Sequence, residues 1–496
     1  MSPDLTPGSS EPGLANRAAK GAVWQISSFG LSKLVVLGTT IVLARLLTPR
    51  EFGLFAVALI FITYSENLTD LGVAQALIYL PRAKRYENAA LTVSILTSLT
   101  LASVVYLAAS LIASFLRVDE ATPLVQVLSM SLFLRGTGNL PDALLRKELR
   151  FRRRVIAEGA RAVTMGIVSI SLAVSGAGVW AIVWGYVAGD LAWNLVSWGL
   201  SDCRPTWDFW RPDTRSMKEL VSFGAPAAGQ QVLQSLVQDI DYLIVGRALG
   251  SVSLGYYTMA FRVPQSTIVP VFWAVSAVSF PSYAKVHDDK ARLRRGYLRQ
   301  MRVLAAAGLG AGAGLAVLAP LIVDVLLGPR WTPSIVVLQI LAFYAALRGF
   351  ASGIVELYKG IGRPRAALAL SAFRLCIVVP SVLVGLRWGI AGVAWAQTLT
   401  TLVVALIMQR MVGKTLSFPA TAQIRQLIPG IVLGAGVAVG ASAAYLVPAP
   451  DLAQLLIGLG AGGVLGVASL WFFDRSFVTE MRGLFARQRD EREVAL

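Results

Sequence analysis

Long hydrophobic runs, separated by short polar and basic segments, follow one another along almost the whole chain. A helix needs about 20 mostly apolar residues to cross a bilayer. Fourteen runs have about this length and predict fourteen transmembrane helices, at residues 22–47, 52–78, 88–115, 121–144, 157–175, 178–200, 219–246, 254–281, 300–327, 332–357, 366–386, 389–409, 427–447 and 452–473. The pattern therefore predicts an all-α polytopic membrane protein.

The basic residues between these runs alternate in number, which predicts the orientation of the chain. Lys and Arg concentrate in cytoplasmic loops. With the N-terminus placed inside, 33 of the 45 Lys and Arg fall in cytoplasmic segments, six fall outside, and six lie within predicted spans. The sequence thus predicts a multi-pass membrane protein with both termini in the cytoplasm.

Composition agrees with a membrane protein and excludes a soluble enzyme. The chain has 496 residues, of which 55% are hydrophobic and 15% charged, and its mean hydropathy is +0.64. A soluble domain carries about 25% charged residues. The net charge of +17 could indicate a nucleic-acid partner. Because most of the cations mark cytoplasmic loops, we expect no nucleic acid and instead expect contact with membrane lipids.

Two segments repeat along the sequence and predict an internal duplication. Residues 44–58 align without gaps on 246–260, an offset of 202 that pairs Arg45 with Arg247 and Gly53 with Gly255. A second window, at an offset of 213, pairs residues 134–136 with 347–349 and Arg161 with Arg374. Each repeat would contain six spans. An even number of spans relates the two repeats by a pseudo-twofold axis along the membrane normal.

This duplication divides the chain into five predicted parts. They are a disordered cytoplasmic tail (1–21), an N-lobe of spans 1–6 (22–213), a C-lobe of spans 7–12 (214–412), a hairpin of spans 13 and 14 (413–474), and a basic cytoplasmic tail (475–496). Two facing six-helix lobes would enclose a cleft suited to alternating access.

Six cations lie within predicted spans: Lys33, Arg135, Arg161, Arg262, Arg348 and Arg374. Each costs roughly 2.5–3.5 kcal/mol when it faces lipid near the bilayer centre. We therefore predict that most of them face a wet cavity or a partner, and that those in the cavity bind an anionic substrate. Snorkelling to the membrane surface is the competing interpretation, chiefly for Arg161 and Arg374, near cytoplasmic span ends.

Acidic residues at comparable depth offer other roles. Asp70, Asp239 and Asp241 could pair with the cations or carry a coupling ion, H⁺ or Na⁺, and the sequence leaves both options open. The only histidine is His287, in a basic loop. We therefore expect no catalytic triad, no metal site and no cofactor beyond a coupling ion.

Several segments carry a family resemblance. LARLLTPREFGLFAVALIFI (43–62), DLGVAQALI (70–78), DIDYLIVGRALGSVSLGYYTMAFRV (239–263), SFPSYAKV (279–286) and LLGPRWTPSIVVLQILAFYAALRG (326–349) resemble the bacterial polysaccharide exporters, in particular the colanic-acid-exporter-like flippases. These exporters belong to the multidrug, oligosaccharidyl-lipid and polysaccharide exporter superfamily. The resemblance covers about residues 18–412 in the right order, and spans 13 and 14 match in position and hydropathy.

The resemblance implies a flippase, not an enzyme. Such a protein would move an undecaprenyl-pyrophosphate-linked oligosaccharide from the inner to the outer leaflet of the bacterial cytoplasmic (inner) membrane for synthesis of O-antigen, capsule or exopolysaccharide. It implies two rocking lobes around a cationic cavity that holds the diphosphate. The polysaccharide polymerase machinery would be a further partner.

Two other functions compete with this prediction. An ion-coupled multidrug exporter of the same superfamily would present carboxylates to organic cations, whereas cations dominate the predicted cavity here. A membrane polysaccharide polymerase or glycosyltransferase usually carries a large outer loop with catalytic residues, and every predicted outer loop in this chain is short.

Overall fold

The computed structural model describes residues 34–69, 71–79, 83–203, 213–272, 289–361 and 364–475, together with single residues between 275 and 286 and at 477 and 479. Lys33 and Asp70 lie outside the described residues, as do the predicted N-terminal tail and most of the C-terminal tail. The predictions for these parts of the chain stay predictions.

The described residues form α-helices and short helical turns, without a β-strand among them. The α-helices are α1 (Leu34–Leu46), α2 (Pro49–Glu66), α3 (Val73–Tyr79), α4 (Glu87–Leu107), α5 (Ala109–Phe115), α6 (Thr122–Lys147), α7 (Phe151–Val174), α8 (Val179–Leu200), α9 (Thr214–Thr267), α10 (Lys290–Ile322), α11 (Ser334–Gly360), α12 (Pro364–Gly385), α13 (Gly389–Thr415), α14 (Ala420–Ser442) and α15 (Asp451–Phe473). The predicted all-α class is confirmed for these residues.

Local sequence signals explain where α2 begins and where α9 bends. At the start of α2, the Thr48 side chain accepts from the Glu51 backbone N–H, and the Glu51 carboxylate accepts from the Thr48 N–H, a capping box. Within α9, Gly250 has φ +81°, a left-handed conformation that favours glycine. Gly250 therefore divides α9 into two arms, which correspond to the predicted spans 7 and 8.

Many of the helices have the length and apolar composition of membrane spans. Among the described residues, seven helical stretches meet both criteria: Glu87–Leu107, Phe151–Val174, Val179–Leu200, Lys290–Leu327, Ala372–Thr415, Ala420–Leu446 and Asp451–Phe473. Helices that fall short, such as α6 and α9, carry charged residues within the predicted spans. Each predicted span overlaps a described helix, and the exact number of fourteen spans stays a prediction.

The hydrophobic core is continuous at one end of the molecule and divided at the other. One large cluster joins buried residues of the N-lobe, such as Leu128, to buried residues of the C-lobe, such as Tyr257. Two further clusters lie apart, one built almost entirely from N-lobe residues and one from residues 283–418. Because the joint cluster holds the segments that the charge pattern places outside, the lobes pack most extensively at the predicted outer end.

Polar contacts reinforce this junction between the lobes. The Trp331 indole N–H donates to the Ala44 carbonyl over 2.9 Å, and its ring packs edge-on against Phe52 with 5.3 Å between centroids. The Arg45 guanidinium donates to the backbone carbonyls of Asp324 and Leu326, over 3.3 and 3.4 Å. Carbonyls at the end of a helix lack intrahelical donors, so Arg45 stabilises, from the opposite lobe, the helical turn Val323–Leu327 that continues α10.

Gly53 and Gly255, paired in the predicted duplication, let α2 cross the second arm of α9 at backbone contact. A Cβ atom on Gly53 would lie 1.7 Å from the Ser251 carbonyl oxygen.

We expect Gly53→Ala to lower the melting temperature of the purified protein, because overpacking costs typically 1–3 kcal/mol. Gly159→Ala is the control, since its Cβ would meet nothing within 4 Å. Equal melting of Gly53→Ala and wild type would contradict this packing.

Candidate functional site

A cavity of about 200 Å³ lies between the lobes, where α2 faces both arms of α9. Its polar and charged lining residues are Thr63, Tyr64, Asp239, Tyr242, Thr258, Arg262 and Gln265. Phe52, Phe55 and aliphatic side chains of α2 complete the wall. The cavity is therefore a part-polar chamber within a predominantly apolar helical protein.

Arg262 brings a cation to this cavity. Its side chain extends from the second arm of α9 to α1, where Nη1 donates to Thr40 Oγ1 over 3.3 Å. Among the residues that the structure describes, Arg262 forms no ion pair with a carboxylate. A guanidinium presents five donors in a plane. Arg262 thus retains donors for an anionic ligand inside the cavity.

Arg135 and Arg161, by contrast, share carboxylates within the N-lobe. Arg161 Nε lies 2.6 Å from Asp190 Oδ1, and Arg135 Nη2 lies 3.2 Å from the same oxygen. Arg135 Nε also lies 3.3 Å from Glu66 Oε1, and the Tyr186 hydroxyl donates to that oxygen over 2.8 Å. We call these five residues the N-lobe ion network. It joins α2, α6, α7 and α8.

Aromatic rings cover part of the N-lobe ion network. The Arg135 guanidinium lies 5.6 Å from the Trp193 ring centroid, and that of Arg161 lies 5.2 Å from the Tyr186 centroid. The Asp190 side chain is fully buried. Two cations and two carboxylates therefore compensate one another around a fully buried acid.

Arg348 and Arg374, the repeat mates of Arg135 and Arg161, have neutral partners. Arg348 Nη2 donates to the Gln238 side-chain oxygen, and Arg374 Nη2 donates to the Tyr344 hydroxyl over 3.1 Å. Neither arginine forms an ion pair within the described part of the chain. The buried Nε of Arg374 has no hydrogen-bond partner there. Equivalent arginines therefore have charged partners in the N-lobe and neutral partners in the C-lobe.

Asp239 and Asp241 have different surroundings. Asp239 lines the central cavity and interacts electrostatically with Arg348. Asp241 is buried, and its Oδ2 accepts from the Tyr257 hydroxyl over 2.7 Å. Two residues along a helix rotate a side chain by about 200°, which explains why only one of the pair reaches the cavity. Asp70 lies outside the described residues.

Several site residues were not identified in the sequence. Gln238, which binds Arg348, directly precedes Asp239, and Tyr64 and Tyr242 supply aromatic surface to the cavity. Neutral amides and tyrosines occur throughout membrane helices, so sequence alone does not single them out.

Sequence comparison identifies related proteins. A family profile described as "Polysaccharide biosynthesis protein" matches residues 42–336. The lipopolysaccharide biosynthesis protein WzxC of Escherichia coli is 26% identical, with 75% of this chain and 76% of WzxC covered. The teichuronic acid biosynthesis protein TuaB of Bacillus subtilis is 22% identical, with 86% and 89% covered.

Solved structures share the fold. The lipid II flippase MurJ, in an inward closed conformation, superposes with a TM-score of 0.74 at 14% identity and covers 92% of this chain and 100% of its own. A multidrug transporter of the MATE family, in an inward-facing conformation, reaches a TM-score of 0.63 at 20% identity, with 78% and 95% covered. These likenesses describe the fold, and the family profile, which spans more than half of the chain, shows that this protein is a member of the polysaccharide biosynthesis protein family.

Proposed function

We propose that the protein is a flippase for an undecaprenyl-pyrophosphate-linked oligosaccharide and works by alternating access. Three observations support this function: membership of the polysaccharide biosynthesis family, a fold like that of a named lipid II flippase, and an inter-lobe cavity that contains a cation. The protein would serve assembly of a surface polysaccharide, next to the polymerase machinery that consumes its product.

The proposal includes the predicted topology. Fourteen spans, arranged as two six-helix repeats and a terminal hairpin, would place the chain in the bacterial inner membrane with both ends in the cytoplasm. The alternation of basic loops supports this orientation. The core that joins the lobes at the predicted outer end supports a resting state closed on that side.

The observation that carries the proposal is the position of Arg262. A guanidinium inside a half-apolar cavity, hydrogen-bonded to a threonine and free of an ion pair among the described residues, suits phosphate oxygens. The cavity is smaller than an oligosaccharide. The sugars would therefore enter when the lobes separate, while the lipid tail stays in the bilayer. Lys33 would contribute a second cation.

The proposal is tested in a strain that lacks the gene. We expect the surface polysaccharide to disappear, its lipid-linked repeat unit to accumulate on the cytoplasmic side, and a wild-type copy to restore both. Resistance to cationic drugs should not change. Altered drug resistance with normal polysaccharide would favour the multidrug-exporter alternative and contradict the flippase.

We further propose that Asp241 carries the coupling ion. Its Oδ1 has no hydrogen-bond partner among the described residues, and the same is true of Gln397 Oε1 on α13. Gln397 also interacts with the Asp241 carboxylate. Buried oxygens without donors are ligands for a hard cation such as Na⁺, and a carboxylate also accepts a proton. Asp239, on the cavity wall, is the second candidate.

We expect Asp241→Asn to abolish the dependence of transport on the ion gradient, because the amide removes the negative charge that would bind the ion. The measurement is transport in proteoliposomes with an imposed proton or sodium gradient. Asp239→Asn is the matched comparison, two residues away on the same helix. Gradient-stimulated transport by Asp241→Asn at the wild-type rate would contradict the assignment.

A further inference from the structure

We infer that the diphosphate of the substrate is bound by the C-lobe arginines Arg348 and Arg374, whereas their N-lobe repeat mates Arg135 and Arg161 form a structural network. The inference rests on the proposed function, because it assigns the substrate's charged group to one lobe. It starts from the difference between four arginines that the duplication predicts to be equivalent.

The N-lobe arginines have their charge compensated. Asp190 has a fully buried side chain and binds both Arg135 and Arg161, and Glu66 binds Arg135 from α2. To bind a substrate phosphate, Arg161 would have to give up its contact with the buried Asp190 carboxylate, and Arg135 would have to give up both Asp190 and Glu66. Such an exchange is unfavourable, because removing one partner of a buried ion pair is costly.

The C-lobe lacks the acid that corresponds to Asp190. Helices α8 and α13 both start next to a glycine with left-handed φ, Gly178 at 57° and Gly389 at 67°. When these glycines are aligned, the offset of 211 places Thr401 at the position of Asp190. The Thr401 hydroxyl is buried and has no hydrogen-bond partner among the described residues.

The acid that corresponds to Glu66 is also replaced. The offset of 202 that pairs Gly53 with Gly255 places Ile268 at the position of Glu66. Ile268 is 1% exposed and belongs to the apolar packing around Phe272. The C-lobe has therefore kept both arginines of the pair, while an alcohol and an alkyl group stand where the N-lobe has its two carboxylates.

As a result, the C-lobe arginines keep donors for a ligand. Their hydrogen-bond partners, Gln238 and Tyr344, are neutral, and Arg374 Nε is buried without a partner among the described residues. Asp239 interacts electrostatically with Arg348 but makes no ion pair with it. Arg348 is bound to Gln238, which directly precedes Asp239 on α9, and Asp239 lines the central cavity together with Arg262.

The chemistry of this arrangement suits a diphosphate. Its oxygens accept hydrogen bonds at several positions, and each guanidinium can offer two parallel N–H donors. Two guanidiniums with neutral partners would compensate a charge that a single cation leaves partly unbalanced. The N-lobe ion network, by contrast, joins α2, α6, α7 and α8 to one another through its ion pairs.

The test is binding of undecaprenyl pyrophosphate, without sugar, to the purified full-length protein in detergent, with inorganic pyrophosphate as a competitor. We expect Arg348→Gln and Arg374→Gln each to raise the Kd about 10–100-fold, as the loss of a charge-assisted contact implies. Thr401→Asp, which introduces the acid of the N-lobe, should also weaken binding by at least about tenfold. The matched variants Arg135→Gln and Arg161→Gln should melt at lower temperature and keep a Kd within about threefold of wild type.

The outcomes separate this inference from the proposed function. Wild-type Kd values for Arg348→Gln and Arg374→Gln, with binding lost only in Arg262→Ala, would overturn the inference and leave the flippase proposal standing. Equal loss of binding in Arg135→Gln and Arg348→Gln, at unchanged melting temperature, would also overturn it. Failure of the wild-type protein to bind the lipid would overturn both.

Discussion

Replacement of Arg262 by alanine is expected to abolish export of the surface polysaccharide while the protein stays folded in the membrane. Arg262 brings a cation to the inter-lobe cavity, and its one hydrogen-bond partner among the described residues is a threonine. Among the residues that the structure describes, its removal therefore leaves no buried carboxylate without its cation. A lost charge-assisted hydrogen bond to the diphosphate costs about 1.5–3 kcal/mol, and two such bonds from one guanidinium would reduce binding about 100-fold or more.

The measurement is surface polysaccharide in a deletion strain that carries Arg262→Ala, with membrane content of the variant determined by immunoblot. Arg262→Lys tests whether charge alone suffices, and we expect partial activity because lysine lacks the planar donor pair. Arg330→Ala is the matched control, since Arg330 is exposed in a predicted outer loop. Normal polysaccharide with Arg262→Ala would refute the assignment of the cavity.

Replacement of Asp190 by asparagine is expected to have the largest effect on stability. The fully buried Asp190 side chain forms ion pairs with both Arg135 and Arg161. Its neutralisation leaves these two cations with one remaining acid, Glu66. Breaking a buried ion pair from one side costs about 3–5 kcal/mol. We expect a large decrease in the melting temperature of the detergent-solubilised protein and a low yield from membranes.

Asp202→Asn is the control for this prediction. Asp202 also binds two arginines, Arg150 and Arg153, but its side chain is 59% exposed. Exposed ion pairs contribute about 0–1 kcal/mol because water and salt screen them. Similar melting temperatures for Asp190→Asn and Asp202→Asn would show that burial of the N-lobe ion network does not govern stability.

Much of the helical architecture could be predicted from hydropathy alone, because apolar runs of membrane length require helices. Charges inside these runs identified Arg135 and Arg348 as exceptional, and the duplication identified them as mates. Their different partners were not predictable. Glu66 and Asp190 approach Arg135 from positions 69 and 55 residues away in the chain, and only the packing of α2, α6 and α8 brings them together.

The two acids of α9 show a second limit of prediction from sequence. Asp239 and Asp241 share a short sequence segment, but helical rotation sends one to the cavity and the other towards Tyr257. Helical periodicity predicts that they diverge. It does not predict which of them faces the opposite lobe, because that depends on how α9 bends at Gly250.

Reconstitution of the purified protein into proteoliposomes that contain a fluorescent undecaprenyl-pyrophosphate-linked oligosaccharide tests the flippase most directly. A membrane-impermeant reagent that modifies the sugar reports the fraction in the outer leaflet. For wild type, we predict that the reagent reaches nearly all of the labelled lipid over time, whereas with Arg262→Ala it reaches only the fraction initially exposed, as in protein-free vesicles. Equal accessibility in wild-type, Arg262→Ala and protein-free vesicles would contradict the account.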